Sequence, residues 1–171
     1  MAVPYDAKAV ANYFLLKPEP ERGGAITQMK LHKLIFYAHG WHLGLKSEPL
    51  LDEMVEAWEY GPVVPSLYHE FKDLGSSPID RLATEFDVRT AAFDRIPAID
   101  ESDKATSALL DRVWEIYGPL TASQLSLMTH EAGSPWSETR RKNPKIKSVD
   151  IPNDLIEEYF RLKASQNQNA A

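Results

Sequence analysis

The sequence predicts a mainly α protein: a single compact multi-helix domain with room for one short β-hairpin or strand pair. Three observations predict it. Apolar residues recur at three- and four-residue spacing in several separate windows. Those windows open on Ser, Thr or Asp and close on Gly, Gly-Pro or Asn-Pro. The 171 residues, 43% hydrophobic and 26% charged, suffice for one core, and no internal repeat or linker divides them. The domain is expected over 1–163, followed by a polar tail, 164–171, with too little apolar surface to fold.

Asp6 is a fitting cap for a first helix over 7–17, with Val10, Tyr13, Phe14 and Leu16 turned inward. KPEPERGG breaks it. Thr27 caps a second helix over 28–45, whose Met29, Leu31, Leu34, Ile35, Ala38, Trp41 and Leu45 make a broad apolar face. Few of its positions are plainly polar, so it belongs at the centre. A short strand fits 54–59. Then AWEYGPVVP forms a stiff corner: Pro62 removes a backbone donor and pushes Gly61 toward extended geometry, and Pro65 opens a helix over 65–74. Residues 76–101 read equally as a loop, a broken helix or a small hairpin. Ser102 caps a helix over 103–117, ended by Gly118-Pro119. Thr121 and Gln124 form a capping box for a helix over 122–131. Ser134-Pro135 opens the next, which Asn143-Pro144 stops, and a last helix over 153–163 buries Leu155, Ile156, Tyr159 and Phe160.

Composition narrows function. The net charge of −6 gives no general help in holding a phosphate backbone, so nucleic acid is not an expected partner. The lack of cysteine excludes disulfides and thiolate metal sites. No apolar run approaches a membrane span, and the start, MAVPYDAKAV, has no basic segment followed by an apolar stretch, so a cytoplasmic protein is expected.

Candidate chemistry is sparse. His39 and His42 stand three apart on one helix, and His130-Glu131 adds two possible ligands. A metal-assisted hydrolase would use those four. No HExxH pattern accompanies them, and hydrogen-bonded core or polar-face histidines are the plainer reading. No serine stands in a nucleophile motif, and Gly23-Gly24 is too short for a phosphate loop. Neither catalytic residues nor a cofactor or metal are expected. RRKNPKIK (140–147) holds five cations and no anion. A solvated helix end accounts for its first half, and a contact patch for an acidic surface or a nucleic-acid backbone is the competing reading. Trp41, Trp58, Trp114 and Trp136 suit packing first and binding second.

Three segments resemble the Panacea domain, also called DUF4065, which includes phage-associated proteins. They are LHKLIFYAHGWHL (31–43), AWEYGPVVPSLYHEF (57–71) and VWEIYGPLTASQLSLMTHEAGSPW (113–136), and the likeness covers about residues 5–142. The motif falls on Leu31, Lys33, Leu34, Tyr37 and Trp41. It continues on Trp58, Tyr60, Gly61, Pro62 and Val63, and ends on Leu125, Ser126, Thr129, His130, Pro135 and Trp136. Glutamine is frequent in the family where this chain has His32 and His39. The resemblance implies a mainly helical fold and an antitoxin that neutralises a toxin encoded nearby by direct contact, with no catalytic residues to carry over. The contact set expected from it is Tyr37, Trp41, Trp58, Tyr60, Gly61, Pro62, Tyr68, His130, Trp136 and Arg140. The corner at Tyr60-Gly61-Pro62 is expected to dock on Trp41 and the 28–45 helix. An acidic chain suits a basic toxin. The alternative role is an adaptor that delivers a client to a cellular protease. The small apolar residues at the C-terminus would suit a protease grip, although an ordinary frayed end explains them more simply.

Overall fold

A computed structural model describes residues 3–170. Among them are seven helices and two small antiparallel sheets. The helices are α1 (Ala7–Leu15), α2 (Gln28–Lys46), α3 (Pro65–Phe71), α4 (Lys104–Tyr117), α5 (Ala122–Thr129), α6 (Pro135–Lys142) and α7 (Asn153–Ala170). The strands are β1 (Glu56–Trp58), β2 (Gly61–Val63), β3 (Glu85–Asp87), β4 (Ala92–Arg95) and β5 (Val149–Asp150). One sheet has the order β2-β1-β5 and the other pairs β3 with β4.

The caps explain the helix boundaries. Asp6 accepts from Lys8 N, Thr27 from Lys30 N and Ser134 from Ser137 N. Thr121 and Gln124 form both bonds of the capping box. The cap of α4 is Asp103 rather than Ser102, because its carboxylate reaches Thr106 N while Ser102 bonds Asp100. α1 ends at Leu15, which leaves Leu16 exposed instead of inward.

α2 is the axis of the molecule. Every residue from Lys30 to Gly40 is buried, so the helix is covered on all sides. Met29 and Leu45, at its two ends, are exposed, so the buried stretch is shorter than the expected apolar face. α7 packs most extensively on α2. Gly40 and Gly44 make the notch for it: a Cβ on Gly40 would stand 2.1 Å from the Phe160 ring. Phe160 also meets Trp41 at 5.2 Å and Tyr37 at 5.9 Å between ring centroids. α7 continues past 163 to Ala170, through a stretch without Gly or Pro to stop it. Ala171, at the end of the expected tail, lies outside the described residues, as do the side chains of 168–170.

The segment over 76–101 resolves into the β3–β4 hairpin, with Glu85 opposite Arg95 and Asp87 opposite Ala92. Asn12 ties its base to α1. Its amide donates to Ala83 O (3.0 Å) and Pro97 O (2.9 Å) and accepts from Ala83 N (2.8 Å).

Candidate functional site

The stiff corner is a β-hairpin. β1 and β2 pair with Trp58 opposite Gly61 and Ala57 opposite Pro62, so Glu59 and Tyr60 form a two-residue tip. In such a hairpin the pair flanking the tip is hydrogen-bonded and the next is not. Pro62 therefore falls where no donor is asked of it, on an edge strand. Gly61 has φ +124°, a conformation that favours glycine.

A ring of side chains braces the hairpin from behind. Lys33 on α2 is 2% exposed and donates its Nζ to Tyr60 O at 2.9 Å. A Cβ on Gly61 would stand 3.0 Å from that Nζ and 3.4 Å from His130 Nε2. His130, at the end of α5, stacks on Trp136 with centroids 4.0 Å apart. Trp136 Nε1 donates to Trp58 O at 2.7 Å. Arg140 Nη1 donates to Ala57 O (3.3 Å), Ile146 O (2.6 Å) and Lys147 O (3.3 Å), closing the loop after α6 onto β1. The hairpin thus docks on α2 as expected, but through Lys33. Trp41 is elsewhere, donating its Nε1 to Tyr117 OH at 2.8 Å.

The tip divides two clefts. One, of about 640 Å³, lies between the start of α2, the hairpin and α3, with Met29, Lys33, Trp58, Tyr60, Val63 and Tyr68 in its lining. The other, of about 530 Å³, is bounded by Trp58, Glu59, Tyr60, Arg140, Lys147 and Ser148. Tyr60 is 70% exposed between them. Trp58 and Tyr68 meet edge to face at 4.8 Å on the wall of the larger cleft.

Burial sets the electrostatics. It lowers Lys33 to about 8. His130 is held below its ordinary value, first by burial and then by the Lys33 charge, while the Tyr60 backbone opposes both. Among the described residues, His130 Nε2 is buried with no hydrogen-bond partner.

The other histidines are joints of the core. His32 Nδ1 accepts from Val64 N at 3.1 Å and its Nε2 faces Gln28 Oε1 at 3.3 Å. His39 Nδ1 accepts from Leu51 N at 3.4 Å and its Nε2 faces Asn153 Oδ1 at 3.0 Å. His42 Nδ1 faces Glu48 O at 2.7 Å, which makes it the donor there. Burial lowers His32 to about 3 and His39 to about 4, so both rings are neutral near pH 7. Among the described residues no group of three or more His, Asp or Glu is arranged to hold a metal ion.

The expected contact set therefore divides. Trp58, Tyr60 and Tyr68 line the clefts, and Arg140 both braces β1 and borders the second cleft. Gly61, Pro62, His130 and Trp136 shape and hold the hairpin. Tyr37 is 2% exposed and stacks on Tyr117 at 4.2 Å, so its ring belongs to the core rather than to the surface. Arg141 pairs with Glu138, which takes one cation out of the basic run. Met29 and Lys33 are among the cleft residues that the expected contact set leaves out. The available signal was two lysines, Lys30 and Lys33, interrupting a helix that otherwise reads as buried.

The described residues thus form a helical domain built on one enclosed helix, with a braced aromatic hairpin between two clefts. The chain belongs to the family described as Antitoxin SocA-like, Panacea domain, whose model matches residues 31–137. It is similar to Antitoxin SocA of Caulobacter vibrioides (strain NA1000 / CB15N), with 34% identity over 131 residues, 77% of this chain and 68% of the relative. No solved structure matches the chain. No helix among the described residues is long and apolar enough to cross a membrane.

Proposed function

We propose that this chain is an antitoxin that neutralises a cognate protein toxin, encoded nearby, by direct contact in the cytoplasm and without catalysis. Its family and its relative's name support the antitoxin role. The observation that carries the contact mode is Tyr60: a large, exposed side chain on a hairpin tip fixed by Lys33, Trp136 and Arg140. An aromatic anchor on a rigid support loses little freedom on binding. Trp58 and Tyr68 extend the contact into the larger cleft, and Arg140 borders the second cleft on the other side of the tip.

The test is co-expression with the product of the adjacent open reading frame. Growth arrest by that product alone, relief by this chain, and recovery of both in one complex support the proposal. Tyr60→Ala is expected to weaken the complex at least tenfold with melting unchanged, and Tyr68→Ala to weaken it at least tenfold with a small loss of stability from its edge-to-face contact with Trp58. A harmless neighbour that does not bind removes the reading. Relief through disappearance of the toxin, without a stable complex, replaces occlusion by delivery to a protease.

A further inference from the structure

Two buried lysines lie one turn apart on α2 and are satisfied very differently. An ammonium has three donors. Lys30 Nζ uses them on Gly23 O (3.2 Å), Gly24 O (3.3 Å) and Gly118 O (2.7 Å). Lys33 Nζ meets Tyr60 O alone, and among the described residues no carboxylate pairs with it. A buried cation without a counter-charge is costly unless something supplies the missing acceptors. Lys33 borders the 640 Å³ cleft with the 2% of its surface that is exposed. In a chain of net charge −6, the lining of this cleft contains no Asp or Glu. Around the cation the walls are apolar: Met29, Trp58, Val63 and Tyr68.

We propose that this cleft receives a peptide segment of a partner protein in which an Asp or Glu adjoins a bulky apolar residue. The carboxylate accepts from Lys33 Nζ, and the apolar neighbour lies on Met29, Trp58 and Tyr68. The proposal deepens the toxin-binding reading, resting on it for the source of the segment. It fits a basic toxin as well as any other, since net charge steers approach from a distance and the cleft reads one local side chain.

The experiment is an NMR titration of the whole chain with the capped tripeptides acetyl-Phe-Asp-Leu-amide and acetyl-Phe-Asn-Leu-amide. The Asp peptide is expected to shift the amides of residues lining the cleft and to bind at least tenfold more tightly than the Asn peptide. Lys33→Met, which keeps length and removes charge, is expected to abolish that preference. Should that variant fail to fold, Met29→Glu on the exposed rim places a repelling carboxylate at the cleft and is expected to weaken the Asp peptide at least tenfold. Equal binding of the two peptides, unmoved cleft amides, or sodium acetate acting as strongly as the Asp peptide would overturn the proposal. The titration contains no toxin. A chain that takes the Asp peptide but ignores the neighbouring gene product keeps this cleft and loses the antitoxin reading.

Discussion

Asn12 answers three backbone groups with one amide, and it does so where the long 76–101 segment meets α1. Asn12→Ala leaves the Ala83 N–H and two carbonyls without their partner. Each buried unsatisfied group costs about 1–3 kcal/mol, less what water recovers at the edge. We expect a clear fall in the thermal midpoint together with faster proteolysis across 76–101, measured by melting and limited digestion. A variant cut no faster than wild type there removes the pinning role. Asn12 shows how legibility fails at this scale: a lone Asn inside an apolar helix names no partner 71 residues away. The histidines were more legible, because an imidazole on an apolar helix usually closes a hydrogen bond, as His32, His39 and His42 do. Lys33 was visible as a motif position, but its single acceptor was not.

Helix starts were readable because caps act locally: Asp6, Thr27, Thr121 and Ser134 each bond their own first turn. The corner at 57–65 was readable as stiff, since glycine and proline restrict the backbone wherever they fall. That β1 and β2 pair around a two-residue tip was not, because Pro62 reads as a break, and the groups that hold the hairpin, β5 and Lys33, come from distant sequence. Gly61→Val tests the element. It imposes a side chain on φ +124° and drives it against Lys33 and His130, at a cost of about 1–3 kcal/mol from backbone strain alone. Calorimetry should show a lowered midpoint, and a wild-type melt dismisses the brace. Gly40→Ala tests the other close approach. The added methyl overlaps the Phe160 ring and separates α2 from α7, with overpacking of about 1–3 kcal/mol expected. Gly75→Ala meets no neighbour within 4 Å, so any loss there comes from its φ of +56° alone. A Gly40→Ala protein more stable than Gly75→Ala would contradict the notch.

At the scale of the whole molecule, the buried histidines couple stability to pH. His32 and His39 have folded values near 3 and 4, below the ordinary 6.5 of the unfolded chain. Below pH 6.5 the unfolded state therefore binds more protons, and stability falls as pH falls, until the folded values are reached. By pH 5 each withdraws up to about 2 kcal/mol, about 4 kcal/mol together. Asp6 works in the opposite direction. Burial, then its hydrogen bond with Glu85, raises it to about 6, so protonation below that value favours the folded state and offsets part of the loss. Lys33, held near 8, makes stability fall slightly from pH 8 to 7, and the net expectation is a thermal midpoint that declines further from 6.5 to 4.5. His32→Gln with His39→Gln keeps hydrogen-bonding groups at both joints and removes both titrations. Melted across the same range in one buffer series, that double variant should decline less steeply than wild type, whatever its midpoint at pH 7. Parallel curves would mean that the acid sensitivity arises elsewhere in the chain.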